Sequence, residues 1–291
     1  MTQAQVSVPR SALLASLATL ALTVVATVVG LFVPGFYRDA PVLIPQVYGQ
    51  DLLTLVVAVP ALSVSLYFTT RGSLRAYIVW LGVTGYLLYT YASYAFMTAF
   101  NELYLVYVSL LWLTLFAFVG GMMRLDASAV KRAVGDQSVR VYVAFQLLLA
   151  VLVGGLWLAE ILPATFAGTV PPSIAETGLP VNVIYSLDLG VVLPAFALAA
   201  YWLWRGRTWG YALTGVLLAK IVTLGGAVLA MIAFMIRDGQ AVPLPQLVIF
   251  VVLTVVSVVL MVRFILSIKV DRTSVTAASN DELVGEPPRP V

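Results

Sequence analysis

Lys220 is the residue of this 291-residue chain whose type and place most demand a chemical reading. It stands about 16 Å into the apolar run that begins at Trp209, close to the midplane of a bilayer. A central lysine costs roughly 2.5–3.5 kcal/mol on insertion scales, so its surroundings must offset that cost. It could face a cavity between helices as an anion site or a proton-coupling group. It could instead run its stem along a helix and snorkel to an interface. A retinal-type Schiff base is a third reading, but the linear sequence places no carboxylate at mid-span as its counter-ion. Candidate acceptors for the amine are the Tyr86 hydroxyl, Thr223 and Gln146.

Four carboxylates stand at the same ends of apolar runs: Asp51, Asp188, Glu102 and Glu160. Asp51 and Asp188 each follow a tyrosine by three residues. At a helix N-terminus such residues cap free amides and complement the helix dipole. As a set they could instead line an acidic vestibule that concentrates cations. Tyr86, Tyr89, Thr90, Ser93 and Tyr94 fall on one face of a helix. Such a hydroxyl stripe lines a polar path or ties helices together by hydrogen bonds. The chain has no Cys and no His. That excludes disulfides, imidazole and thiolate metal ligands and Cys- or His-based catalysis. No spacing demands an acid–base pair and no motif implies a cofactor, so the reading leans away from an enzyme.

The elements that hold these residues are helices in lipid. The chain is 62% hydrophobic and only 10% charged, too little charge to cover a soluble domain. Continuous apolar runs of about 20 residues predict about eight transmembrane helices. They are Ser11–Val33, Leu52–Thr70, Ala76–Phe100, Leu103–Met123, Val141–Leu162, Tyr185–Trp204, Trp209–Ile236 and Leu247–Ile268. Barrel strands would alternate and be half as long. Lys and Arg gather in alternate loops, at Arg71 and Arg75, Arg124 to Arg140, and Arg205 and Arg207. The positive-inside bias then predicts both termini in the cytoplasm and a multi-pass protein of the cell membrane. The basic residues are spread over these loops, so nucleic acid is not a partner; the lipid bilayer is. The outer loops Pro34–Gln50 and Pro163–Ile184 are rich in Pro and Gly and predict irregular backbone. The polar tail 269–291 reads as disordered and cytoplasmic.

An internal repeat orders the spans. Val47-Tyr-Gly-Gln-Asp51-Leu matches Ile184-Tyr-Ser-Leu-Asp188-Leu. Pro60-Ala61, Arg71-Gly72 and Tyr77 match Pro194-Ala195, Arg205-Gly206 and Tyr211 at one offset, 194 − 60 = 134. The two Asp differ by 188 − 51 = 137, which requires a three-residue gap before Pro194. The expectation is an all-α integral membrane protein of two parallel four-helix repeats: 1–140 with its cytoplasmic connecting loop, then 141–268, then the tail. An even number of spans gives both halves one orientation, related by an axis along the membrane normal.

The stretch Arg71-Gly-Ser-Leu-Arg75, the tyrosines 86, 89, 91 and 94, and Phe100-Asn-Glu-Leu-Tyr104 resemble a family of uncharacterised prokaryotic multi-span membrane proteins. The resemblance is best over spans two to four. That family has no known activity, so it implies no functional residues. The duplicated architecture, Lys220 and the acidic outer ends point to a transporter or channel-like protein for a small solute or ion. The alternative is a non-catalytic membrane assembly or sensory subunit, with a lipid-modifying enzyme third. The path residues on this reading are Lys220, Tyr86, Asp51, Asp188, Glu102 and Glu160.

Overall fold

The computed structural model describes residues 9–135 and 137–269. The predicted polar tail lies, apart from Lys269, outside the described residues. Among the described residues twelve α-helices follow one another: α1 (Arg10–Phe32), α2 (Ile44–Leu53), α3 (Val59–Thr70), α4 (Leu74–Met97), α5 (Tyr104–Arg124), α6 (Ala127–Val134), α7 (Arg140–Ala167), α8 (Pro172–Thr177), α9 (Val183–Leu187), α10 (Leu193–Trp204), α11 (Thr208–Arg237) and α12 (Leu244–Ser267). No strand occurs among the described residues.

Among the described residues seven helices are long and apolar enough to cross a membrane: α1, Ile44–Thr70, α5, α7, Val183–Trp204, α11 and α12. Their outward faces carry Leu14, Val56, Phe116, Val151 and Val255, all exposed. Apolar surface on this scale needs lipid to cover it, so the chain is a multi-pass membrane protein. The remaining long helix, α4, has 24 residues and a length of about 36 Å. Its Tyr, Thr, Ser and Gly make it less apolar than the seven, and it is the most enclosed helix, with both sides packed.

Two spans share an unusual build. In Ile44–Thr70 a π-helical segment, Thr54–Ala58, joins α2 to α3. In Val183–Trp204 the segment Asp188–Val192 joins α9 to α10. Each precedes a proline, Pro60 or Pro194. Proline has no N–H for the carbonyl four residues back and its ring crowds that carbonyl; a widened turn makes room. Both spans then end at an Arg-Gly turn whose glycine has positive φ, 83° at Gly72 and 65° at Gly206.

Hydrogen bonds fix which helix ends lie together. At the basic end, Arg75 donates to the Ile268 carbonyl at 3.0 Å and Lys131 to the Gly206 carbonyl at 2.7 Å, and the Lys269 amide donates to Ala133 at 3.0 Å. At the other, acidic end, the Ala99 amide after α4 donates to Asp39 at 2.8 Å, and Arg38 pairs with Glu102. So α4 runs the full height of the bundle. At the centre α4 packs on α11, and Gly82 allows the approach. A Cβ there would overlap the Ala219 methyl and lie 2.7 Å from the Val216 carbonyl oxygen.

Three expectations about loops are corrected. The span expected from Leu52 begins at Ile44, so Ile44–Gln50 is helix, not irregular loop. Pro163 lies inside α7, and α8 occupies part of the second outer loop. The basic connection after Arg124 contains α6, capped by Asp126, which accepts from the Ser128 and Ala129 amides at 2.9 Å. Its buried Ala127, Val130 and Val134 pack against α11 and α12.

Candidate functional site

Asp51 and Asp188 are not helix caps. Asp51 lies well inside α2, is buried, and accepts from the hydroxyls of Tyr37 and of Tyr94, the latter at 2.9 Å. Asp188 opens the second π segment and accepts from Tyr89 at 2.9 Å and from the Trp157 indole N–H at 2.8 Å. Backbone geometry puts the cap at Asn182 instead, which accepts from the Ile184 amide. Both carboxylates are thus held by α4, but Tyr89 lies five residues, or about 7 Å, nearer the basic end than Tyr94. Asp188 is the deeper of the two. The three-residue gap that paired it with Asp51 is not seen in the element boundaries: Asp188 starts its π segment as Thr54 starts the other.

Burial beside the Asp51 carboxylate raises the pKa of the Tyr37 hydroxyl, which stays protonated and donates. Gly30 of α1 leaves the space for this pair, since a Cβ there would overlap both the Tyr37 hydroxyl and the Asp51 carboxylate. Tyr91, Tyr94 and Tyr107 pack beside it, with ring centroids 5.3–6.4 Å apart, Tyr94 edge-to-face against the other two. The region beside Asp51 is therefore filled.

The region beside Asp188 is not. A cavity of about 210 Å³ lies between α2, α4, α7, α9, α11 and α12. Its mouth is at the acidic end, where Asp39, Thr98 and Gln246 line it. Its walls are apolar, including Leu149, Val153, Leu193, Leu224 and Phe250, with Met97, Met231 and Met235. Its remaining polar groups are Asp188, Tyr89 and Trp157 together, then Gln46, Gln50, Ser93, Tyr94 and Thr254. α7 and α12 touch at the basic end, where Tyr142 meets Phe264 with centroids 5.7 Å apart, and otherwise contact each other sparsely, while both line the cavity. By contrast α1 and α5 pack along their length.

Lys220 is only 8% exposed and does not line the cavity. Its ammonium lies 4.5 Å above the centroid of the Tyr89 ring, the same tyrosine whose hydroxyl donates to Asp188. A carboxylate is thus one ring away, nearer than the sequence suggests. Its amine has no hydrogen-bond partner among the described residues. None of the three acceptors expected for it serves. The Tyr86 hydroxyl pairs with Thr54 at 2.7 Å, Thr223 donates to the Ala219 carbonyl, and Gln146 donates to Thr214. Attraction to the Tyr89 face and to the Asp188 charge takes their place.

Glu102 and Glu160 belong elsewhere. Glu102 is exposed and pairs with Arg38; its own backbone amide and that guanidinium hold its carboxyl below the usual range. Glu160 accepts from the Ser173 amide at 2.7 Å and from the Tyr185 hydroxyl, tying down the α8 loop. Of the six expected path residues, Asp188 lines the cavity, Lys220 lies behind its wall, and Asp51 and Tyr86 are locked in the packed half. Trp157, Gly30 and Gly49 escaped the sequence reading. Gly49 brings α2 against the α11 backbone, where a Cβ would lie 2.6 Å from Met231 Cα. The only linear signal for Gly30 and Gly49 was a small residue one face of a span away from a bulky one. No family model, curated protein or solved structure matches the chain.

Proposed function

We propose that this protein is a carrier for a small solute in the cell membrane, and that the cavity above Asp188 is its solute site. The observation behind this is a buried carboxylate at the base of an apolar cavity between helices of both halves, where a structural core would be filled. On this reading α4 is the eighth span, which its full-height contacts support, and both termini and the basic loops are cytoplasmic. The chain is then two four-helix repeats. Supporting this, the π segments and the helices after them recur at one offset, since 188 − 54, 193 − 59 and 204 − 70 all equal 134. The likeness to uncharacterised prokaryotic multi-span proteins over Arg71–Tyr104 is part of the same proposal.

The offset also pairs Thr54 with Asp188 and Tyr86 with Lys220. One half holds a neutral hydrogen bond where the other holds two opposite charges about one aromatic ring. That contrast favours the second half as the working one. The second reading, a non-catalytic assembly or sensory subunit, is favoured by the side-chain hydrogen bonds that tie buried polar groups of different helices together, such as Gln50 to Thr90, Tyr94 to Asp51 and Gln146 to Thr214. A lipid-modifying enzyme has least support, because no group of three acidic residues stands together among the described residues and the chain has no His or Cys.

The test has two arms. Leu224→Cys, in a chain without native cysteines, should react from outside with a small membrane-impermeant thiol reagent and be protected by a bound solute. Purified protein in liposomes should give saturable uptake from a panel of small cationic, anionic and neutral solutes, abolished by Asp188→Asn. An unreactive Leu224→Cys together with no protein-dependent flux would overturn the carrier reading in favour of the subunit.

A further inference from the structure

We propose that the cavity takes a small organic monocation of the quaternary-ammonium type, and that Lys220 is the internal cation with which it competes for Asp188; this rests on the same cavity as the carrier reading. Charge decides the sign of the ligand. The charged residues that line the cavity are Asp188 at the base and Asp39 at the mouth, and no Lys or Arg among the described residues lines it. Asp39 keeps one buried carboxylate oxygen, Oδ2, without a partner among the described residues. A carboxylate has about four acceptor sites, so the bonds from Tyr89 and Trp157 leave Asp188 able to face a cation.

The shape and lining decide the kind of cation. A strongly hydrated metal ion needs several converging oxygen ligands with more than one carboxylate, and among the described residues no three Asp, Glu, His or Cys come together to hold one. A poorly hydrated ammonium with carbon substituents needs apolar contact, aromatic faces and one counter-charge. Tyr89 and Trp157 supply the faces, Asp188 the charge, and the methionines an adaptable wall. At about 210 Å³ the cavity is of the same order as the ~150 Å³ apolar cavity that holds benzene, which limits the ligand to a small molecule.

Lys220 explains how the empty site is stable. A buried carboxylate with no cation nearby is costly, and the ammonium behind the Tyr89 ring compensates it. A ligand cation in the cavity meets the repulsion of that ammonium as well as the attraction of Asp188. Removing the Lys220 charge should therefore strengthen binding, which a lysine that serves only packing or snorkelling would not do.

The experiment is calorimetric titration of the purified full-length protein in detergent with choline, and with its neutral tert-butyl analogue in which carbon replaces nitrogen. Choline should bind, the neutral analogue about tenfold more weakly or not at all, Asp188→Asn should lose choline binding, and Lys220→Met should tighten it several-fold. Equal binding of the two probes, or no binding of choline to wild type and to Lys220→Met, would overturn the proposal, as would Lys220→Met weakening choline binding. If Asp188→Asn fails to fold, the probe pair and Lys220→Met decide alone. Choline binding without liposome flux refutes the carrier reading and keeps the cation site; flux of a neutral or anionic solute through the cavity does the reverse.

Discussion

Replacing Gly82 by Ala probes the contact on which the bundle turns. The added Cβ would overlap the Ala219 methyl and stand 2.7 Å from the Val216 carbonyl oxygen and 3.0 Å from the Lys220 amide. Ordinary carbon contacts lie at about 3.5–4.0 Å, so α4 and α11 must part by roughly 1 Å. The obstacle is backbone, which cannot swing aside as a side chain can. Overpacking of this kind costs about 1–3 kcal/mol, while relief of glycine's helical penalty returns roughly 0.5–1 kcal/mol, leaving a net loss. The control is Gly155→Ala in α7, where a Cβ meets nothing within 4 Å. There only the helical gain remains, so the same chemical change should stabilise. Thermal melts in detergent should show Gly82→Ala several degrees below wild type and Gly155→Ala level with it or above. A Gly82→Ala protein that melts no lower than Gly155→Ala would refute the close central contact. Parting the helices also moves Lys220 from the Tyr89 ring, so choline affinity should change in Gly82→Ala and not in Gly155→Ala.

Two further outcomes are expected. Ser138→Cys, exposed at the basic end, should be labelled by an impermeant thiol reagent only from the inside of oriented vesicles; labelling from outside would reverse the topology. Burial raises the pKa of the Asp39 carboxyl, against the opposing Ala99 amide, so the folded state holds this proton more tightly than the unfolded one. Its contribution favours folding below the ordinary carboxylate pKa and is lost as pH rises through the raised value. Asp39→Asn should therefore be more stable than wild type near neutral pH, with the difference closing on acidification; thermal melts against pH read this directly.

Hydropathy alone located the seven helices that are long and apolar enough to cross a membrane, because lipid imposes continuous apolar runs on any helix that crosses it. Helix ends were less legible. Ile44–Gln50 reads as a loop since Pro45 and Gly49 look like breakers, yet Pro45 takes the start of a helix and Gly49 a close crossing. The amphipathic α6 lies in a basic connection whose positive charges read as topology signals and mask its apolar face. Asp51 and Asp188 were visible as unusual residues, but their partners come from other helices. Tyr94 and Tyr89 stand 43 and 99 residues away from the groups they hold, and no local pattern carries that. Lys220 was legible as an outlier, whereas the ring beneath it and the cavity beyond are properties of six helices at once.

The sparse packing of α7 on α12 leaves the cavity wall between them thin. Were that seam to open, it would admit a ligand from the acyl region, where an amphipathic molecule accumulates by partitioning long before it is bound. A ligand arriving that way meets the protein at its concentration in the membrane, and its apparent affinity then scales with its lipid solubility. Two compounds with identical contacts to Asp188 would differ in potency in vesicles and agree in detergent. Bilayer thickness and chain packing, which press on the same seam, would act as modulators without touching the site.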